Sequence, residues 1–268
     1  MCRNASRECV LERSGVIANN ELLTDALALL YVTIPDIAQV MRPGQFVHLA
    51  IPGLEAHMLR RPFSVMSVDP DKEELVILYQ SVGSVSSFMR TLTKGDTVNL
   101  LGPIGKSWDE TYESIPTQAL LVGGGVGAAP LFMLAEMFTE QKVAFDTVLG
   151  AKDKEGLVCL PHYTNLVSRE PLCTTDDGSY GIAGFTTQAV EMLLASKSYD
   201  YVACCGPEPM MKAVSALTFA KGIPTFVSLE RRMACGVGAC LSCVVDTVSG
   251  KRRACIDGPI FDAAEVSW

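Results

Sequence analysis

Val122-Gly123-Gly124-Gly125-Val126-Gly127-Ala128-Ala129-Pro130 decides how this chain of 268 residues is read. Just before it, Ala119-Leu120-Leu121-Val122 is apolar at every position, as a strand buried on both faces must be. Glycines let a backbone approach a phosphate closely. The helix expected from Pro130 to Gln141 turns its positive N-terminus towards that charge. Pro130 suits a first helical turn because its missing N–H is not needed there. The turn ends Gly125-x-Gly127-x-x-Pro130, which differs from the common dinucleotide fingerprint. On its own it reads equally well as a tight glycine turn.

Strands and helices alternate beyond this turn. A strand is expected at Ala144 to Gly150, a helix at Thr186 to Ser196, a strand at Tyr201 to Cys204, and a helix from Glu208 to Ala220. That alternation means a parallel sheet with right-handed crossovers over residues 113–226, an α/β nucleotide domain. Upstream, residues 1–112 read differently. Short strands at Phe46 to Ile51, Phe63 to Val68, Leu75 to Tyr79 and Thr97 to Leu100 are separated by turn residues such as Arg42-Pro43-Gly44 and Lys94-Gly95-Asp96. This pattern suits an antiparallel β-barrel. Ser84 to Thr93 has helical spacing of Val85, Phe88, Met89 and Leu92. Residues 227–268 form a loop-rich third module whose five cationic and five anionic side chains cancel.

Composition agrees with several packed domains. Hydrophobic residues make up 49% and charged residues 19%, so a sizeable core can form. The net charge of −8 argues against nucleic acid and against an anionic membrane surface as partners. Ser114 to Ala135 carries no charge, but its glycine run and two prolines suit a nucleotide turn better than a membrane span. Met1-Cys2-Arg3-Asn4 opens no secretion signal, so a cytoplasmic location is expected. Ten cysteines in such a compartment stay reduced rather than forming a disulfide framework.

Four of those cysteines cluster as Cys235-x4-Cys240-x2-Cys243-x11-Cys255, the plant-type [2Fe-2S] spacing. Iron in such a cluster takes four soft thiolates. Gly236 and Gly238 permit the positive φ that aims successive N–H groups at sulfur. Val237, Ala239, Leu241 and Val244 are expected to shield the cluster from water. Zinc is the rival ligand, and with it a zinc-stabilised binding module as the rival function. Structural zinc favours two C-x2-C knuckles, and only one such pair is present.

Arg60-Arg61-Pro62-Phe63-Ser64 is a second signal. Alternation along a strand puts Arg61 and Phe63 on one face, where one could clamp a phosphate and the other stack on a flat ring. Taken alone, it reads first as a barrel strand with a surface arginine.

These stretches, in their order, carry a resemblance. Arg61-Pro62-Phe63-Ser64, Gly83-Ser84-Val85-Ser86, the Gly125-x-Gly127-x-x-Pro130 turn and Cys205-Gly206-Pro207 resemble the ferredoxin–NADP reductase superfamily. The added cysteine module narrows this, and the chain is similar along its length to the electron-transfer subunit family of B-type dihydroorotate dehydrogenases. Pro43-Gly44-Gln45-Phe46-Val47, Thr175 to Gly181 and Asp257-Gly258-Pro259-Ile260-Phe261-Asp262 match as well.

The resemblance implies an NAD-dependent oxidoreductase subunit with three stations. Arg61, Pro62, Phe63 and Ser64 would hold FAD, with Leu78, Tyr79 and Gln80 along its ribityl and phosphate path and Val85 and Ser86 at its pyrophosphate. Gly123, Gly124, Gly125, Gly127, Pro130, Cys205, Gly206 and Pro207 would receive NAD(H). Cys205 is the candidate for positioning the nicotinamide. The four clustered cysteines would hold the [2Fe-2S] group. The implied partner is an FMN-containing dihydroorotate dehydrogenase catalytic subunit in a 2+2 heterotetramer serving pyrimidine biosynthesis. Related subunits of ferredoxin–NADP transhydrogenases, sulfide-linked reductases and hydrogenases form the alternative. Two departures touch the FAD phosphates: Val85-Ser86 stands where the family often has Gly-Thr, and Gln80 where an arginine is common. His48 reads as a hydrogen-bonded barrel histidine, with a flavin-side role as the other reading. Cys204 reads as a small core hydrophobe. His57, His162, Cys2, Cys9, Cys159 and Cys173 are assigned no role.

Overall fold

The uninterrupted apolar run at 119–122 becomes the centre of a seven-stranded sheet in the computed structural model, which describes residues 10–54, 58–166 and 170–268. His57, Cys2 and Cys9 lie outside the described residues. To keep one numbering, the strands are β1 (Leu11–Leu22), β2 (Leu27–Thr33), β3 (Phe46–Ala50), β4 (Arg61–Ser64), β5 (Ser67–Asp69), β6 (Glu74–Gln80), β7 (Thr97–Ile104), β8 (Gln118–Gly124), β9 (Ala144–Ala151), β10 (Leu172–Thr175), β11 (Ile182–Ala183), β12 (Tyr201–Cys205), β13 (Thr225–Ser228), β14 (Val244–Thr247), β15 (Gly250–Arg253) and β16 (Ile260–Asp262). The α-helices are α1 (Pro35–Ala38), α2 (Ser84–Met89), α3 (Phe132–Glu140), α4 (Leu160–Leu166), α5 (Thr186–Ser196) and α6 (Glu208–Phe219).

The first sheet is antiparallel with order β4-β3-β7-β1-β2-β6-β5. Its two edges are β4 and β5, yet only Val65 and Met66 separate them in the chain. The sheet must therefore curl until its edges meet. Val65 N–H donates to the Gln45 carbonyl at 3.4 Å, and Met66 N–H to the Val76 carbonyl at 2.8 Å, closing the corner. The single strand expected at Phe63 to Val68 is thus two strands joined by a buried corner. Val47, Leu49, Val65, Leu75 and Ile77 fill the barrel interior. β1 and β2, which the sequence did not signal, supply the middle of this sheet.

The second sheet has order β11-β10-β9-β8-β12-β13-β16, parallel throughout except for the last pair. From β8 the chain runs outward through β9, β10 and β11, then returns to β12 on the other side. The carboxyl ends of β8 and β12 therefore flank a topological switch point, where open α/β sheets bind ligands. Ala119 and Leu121 face one core and Leu120 and Val122 the other, so β8 is buried on both faces. Helix α5 matches its expected bounds, with Ala189, Val190, Leu193 and Leu194 on its buried side. The expected helix from Pro130 begins later. Gly125–Leu131 is a 3₁₀ helix with Pro130 inside it, and α3 starts at Phe132. Helix α2 stops at Met89, short of the expected Thr93.

The last segment is stitched into the second sheet. β16 pairs antiparallel with β13, and Leu229 N–H donates to the Pro259 carbonyl at 2.9 Å. β14 and β15 form a separate hairpin between those anchors. Among the described residues, no helix is long and apolar enough to cross a membrane.

Trp108 joins the barrel to the second sheet. It is fully buried, and its indole N–H donates to the Pro130 carbonyl at 3.3 Å. Removing that ring leaves a cavity at the junction. W108A is expected to lower unfolding stability by about 3–5 kcal/mol, read as a lower denaturant midpoint. An unchanged midpoint would show that Trp108 does not couple the two sheets.

Candidate functional site

Two cavities meet the glycine turn. One of about 250 Å³ lies between the sheets. Its barrel wall is Pro62, Phe63 and Ser64 of β4 with Leu78, Tyr79 and Gln80 of β6; Pro130 and Ala129 of the turn face them. Phe63 meets Tyr79 edge-on, with centroids 6.4 Å apart and planes at 74°. The Tyr79 hydroxyl donates to Asn20 Oδ1 at 3.0 Å, which fixes the ring. Burial raises the Tyr79 pKa, so the phenol stays neutral. This flat, mostly apolar slot suits a planar ring.

Sequence reasoning missed part of the slot. Phe46, Val126, Ser228, Leu229, Glu230, Arg231, Met233 and Pro259 also line it. Most lie on the chain leaving β13 or on the turn before β16, so only the sheet topology brings them there.

The two arginines separate. Arg60 is held by Glu12 at 2.6 Å and by the Asn99 carbonyl at 3.1 Å, and lines another cavity of about 470 Å³ with Leu54, Leu59 and Val85. Arg61 donates to the Leu59 carbonyl and has no carboxylate partner among the described residues. It lines neither cavity itself, although its chain neighbours Pro62 and Arg60 line one each. Ser86 is not free for a ligand. Its hydroxyl accepts from Val82 N–H and Gly83 N–H, both at 3.0 Å, and donates to the Gly83 carbonyl.

A further cavity of about 470 Å³ crosses the carboxyl ends of β8, β9 and β10 and the turn after β12. Gly124, Gly125 and Pro207 line it, with Gly150, Thr174, Asp176 and Thr186. Thr186 is 4% exposed, and its hydroxyl has no partner among the described residues. Gly127 stands behind this wall. A Cβ there would lie 2.5 Å from the Cys205 carbonyl oxygen, so only glycine lets the turn after β8 pack so closely on the end of β12. Cys205 itself lines neither cavity. It is buried, and its thiol donates to the Ser228 carbonyl at 3.7 Å. Burial pushes its pKa up to about 12, so it stays a thiol. Cys204 is fully buried, as a small core hydrophobe should be.

The clustered cysteines form two pairs. Cys243 immediately precedes β14 and Cys255 closely follows β15, so the Val244–Arg253 register carries them together. Ala254 N–H donates to the Cys243 carbonyl at 2.9 Å, and the two sulfurs lie 3.2 Å apart. Cys235 and Cys240 make the other pair through a side-chain hydrogen bond. The Cys235 sulfur also accepts from Ala239 N–H at 3.3 Å and Cys240 N–H at 3.4 Å. Burial opposes its ionisation, but the N–H groups of Val237, Cys240 and Ala239 outweigh it and lower the pKa to about 7. The loop achieves this with Gly236 and Gly238 at φ of +68° and +79°. Arg253, paired with Asp257 at 3.1 Å, also holds the Gly238 carbonyl at 3.2 Å.

Two expectations fail here. Val237, Ala239 and Leu241 are exposed, Val237 and Leu241 at 47% and 62%, so they do not shield the cysteines; they flank exposed Cys240 in the chain. His48 is fully buried in β3, yet neither ring nitrogen has a hydrogen-bond partner among the described residues. Burial, reinforced by the Arg60 charge, brings its pKa down to about 4.

The cysteine loop abuts the first slot. Met233 lines the slot, and Cys235 is two residues further on, a span of at most roughly 7 Å of chain. Among the described residues no three of the cysteines gather into a metal-binding set, but their chemistry, four soft thiols in two pairs with N–H groups aimed at the Cys235 sulfur, suits an iron–sulfur group. The flat slot beside it fits a ring.

Comparison with known proteins agrees with this arrangement. Residues 15–108 match an oxidoreductase FAD-binding domain and residues 121–216 an oxidoreductase NAD-binding domain. Residues 230–267 match the iron–sulfur cluster binding domain of dihydroorotate dehydrogenase B. The electron transfer subunit of dihydroorotate dehydrogenase B (NAD(+)) from Streptococcus pneumoniae is 37% identical over 96% of this chain and 98% of its own. The same subunit from Geobacillus thermodenitrificans is 36% identical over 86% of this chain and 88% of its own. A chain of the NADH-dependent reduced ferredoxin–NADP oxidoreductase is 29% identical with a TM-score of 0.83, covering 95% of this chain and 90% of that one. A ferredoxin–NADP reductase from Neisseria gonorrhoeae, at 18% identity and TM-score 0.65 over 79% of this chain and 92% of its own, shares the fold.

The thiols should differ sharply in the metal-free protein. Alkylation of Cys235 is expected to accelerate as pH rises through about 7, while buried Cys204 and Cys205 stay unmodified. Peptide mass spectrometry reads this directly. Equal labelling of Cys205 and Cys235 would contradict the described loop.

Proposed function

This chain belongs to the family of dihydroorotate dehydrogenase B electron transfer subunits, and on that premise we propose that it carries electrons between NADH and an FMN-containing dihydroorotate dehydrogenase catalytic subunit. The route runs through FAD and a cluster of the [2Fe-2S] type, in either direction. When bound, FAD supplies exchange of a hydride for single electrons, and the cluster supplies one-electron transfer. The remaining work belongs to the chain's own residues.

Gly124, Gly125 and Pro207 would bind NAD(H) at the carboxyl ends of β8 and β12, with Gly123, Gly127, Cys205 and Gly206 forming the close-packed wall behind. Pro62, Phe63, Ser64, Leu78, Tyr79 and Gln80 would orient the flavin ring and exclude water from one side, while Pro130 closes the other. Arg61, with no carboxylate partner among the described residues, would hold the FAD phosphates, and Val85 would line the cavity beyond Arg60. Ser86 would act indirectly, by fixing the turn at Val82 and Gly83. Cys205 would position the nicotinamide only through the Ser228 carbonyl that it bonds. Cys235, Cys240, Cys243 and Cys255 would ligate the cluster. The likeness of residues 230–267 to an iron–sulfur cluster binding domain supports this group over zinc.

The observation that carries this reading is the adjacency of Met233 in the ring slot to Cys235 in the thiol loop. The exposure of Cys240 together with Val237 and Leu241 near it in the chain supports an exit to a partner at that end. A 2+2 heterotetramer in the cytoplasm, where thiols stay reduced, accords with this. A second reading, a subunit of a ferredoxin–NADP transhydrogenase, draws on the structural likeness to that oxidoreductase. The complete set of four cysteines favours the first.

Anaerobically purified protein is expected to show flavin and iron–sulfur absorption with two irons per chain. C240S should lose the cluster bands while keeping FAD and most NADH-driven dye reduction. Equal loss of both would mean the two stations are not separate. R61A is expected to lower FAD content several-fold, and full retention would remove Arg61 from the phosphate site. Co-purification with the partner and NADH-driven orotate reduction separates the two readings, because a transhydrogenase subunit reduces no orotate.

A further inference from the structure

We propose that His48 donates an imidazole N–H hydrogen bond to a sulfur on the Cys235 side of the cluster, and so stabilises its reduced state. The proposal rests on the [2Fe-2S] reading above and adds a residue outside the cysteine motif.

Alternation along β3 puts Val47 and Leu49 into the barrel interior and turns Phe46 and His48 to the other face. Phe46 lines the ring slot, and the His48 ring lies 5.8 Å from it, centroid to centroid. In the sheet His48 is flanked by Pro62 and Leu101, whose side chains offer no hydrogen bond. Its other neighbour is the cysteine loop. A Cβ on Gly236 would stand 2.8 Å from His48 Nδ1 and 2.9 Å from Cε1. The ring edge carrying Nδ1 therefore rests on the backbone next to Cys235, and only glycine leaves room for it.

Both His48 nitrogens lack partners among the described residues although the side chain is fully buried. Leaving a buried polar group unpaired costs about 1–3 kcal/mol, so a polar partner at this spot would stabilise the fold. An imidazole carries at least one N–H in either protonation state. The loop already directs the N–H groups of Ala239 and Cys240 at sulfur, and His48 approaches the same loop from the barrel side. A reduced cluster carries one more negative charge than an oxidised one. A donor to its sulfur therefore favours reduction and raises the potential.

The test is a redox titration of the full chain with its cofactors, followed by electron paramagnetic resonance of the reduced cluster. H48L is expected to keep its iron but to be harder to reduce, with the reduced-to-oxidised ratio at fixed poise falling about tenfold, or about 59 mV for a one-electron couple. H48Q, which retains a donor, should recover part of the shift. An H48L cluster that titrates like the unsubstituted one, or a shift confined to the flavin, would overturn the proposal. If H48L fails to load iron, the unsubstituted protein decides. Nitrogen hyperfine coupling from isotopically labelled histidine supports the hydrogen bond, and its absence overturns it. A preparation with flavin but no iron would sink the cluster reading itself, a different outcome from an unshifted potential.

Discussion

Electron transfer between two bound groups weakens steeply with separation, so the seat of the thiol loop on the barrel governs the rest. That seat is the contact between Gly236 and the imidazole of His48, with Ile104 beside it. A side chain at position 236 would push the loop off β3 and away from the ring slot. The positive φ of Gly236 serves the same end, since it turns the following N–H groups back towards Cys235. One glycine thus meets a steric and a conformational demand together, and neither can be relaxed alone.

The loop keeps its place because the chain on either side of it is anchored. β13 leads out of the parallel sheet and β16 returns antiparallel beside it, so the excursion that carries the cysteines begins and ends in adjacent strands. Lys106 N–H donates to the Gly258 carbonyl at 2.6 Å, which ties the returning chain to the barrel as well. Within the excursion, the β14–β15 register sets one sulfur pair and the Arg253–Asp257 ion pair braces the other. Without the two anchors, a loop of this length would spread over many conformations, and thiolate geometry would have to be purchased from the metal alone.

Some of this was legible in sequence because it is local. The cysteine spacing, the glycine turn and the apolar runs of β8 and β12 each lie within a few residues. α5 was legible for the same reason, with buried positions recurring at helical spacing. β1 was not, because its many exposed positions give a polar, irregular pattern although the strand is paired on both sides. The corner at Val65–Met66 was not, because both residues are buried and apolar like the strands they join. The roles of Arg60 and Arg61 could not be told apart from their order. One meets Glu12, and that contact depends on the barrel closing. His48 was read as a hydrogen-bonded barrel histidine, but its ring has no such partner among the described residues, and its neighbour Gly236 lies at the far end of the chain, where no periodicity could point.

The two sulfur pairs also differ in surroundings, which gives the site a direction. Cys243 and Cys255 are buried at 3% and 1% exposure, packed with Val245 and Ala254 against the second sheet. Cys240 is exposed, and so are Val237 and Leu241 beside it in the chain. Exposed apolar side chains around a redox group are unfavourable in water and favourable under a partner surface. Burial on one side sets the medium around the cluster, and exposure on the other leaves a short path outward. A chain that only stored electrons would gain from enclosing all four thiols; the asymmetry belongs to one that passes them on.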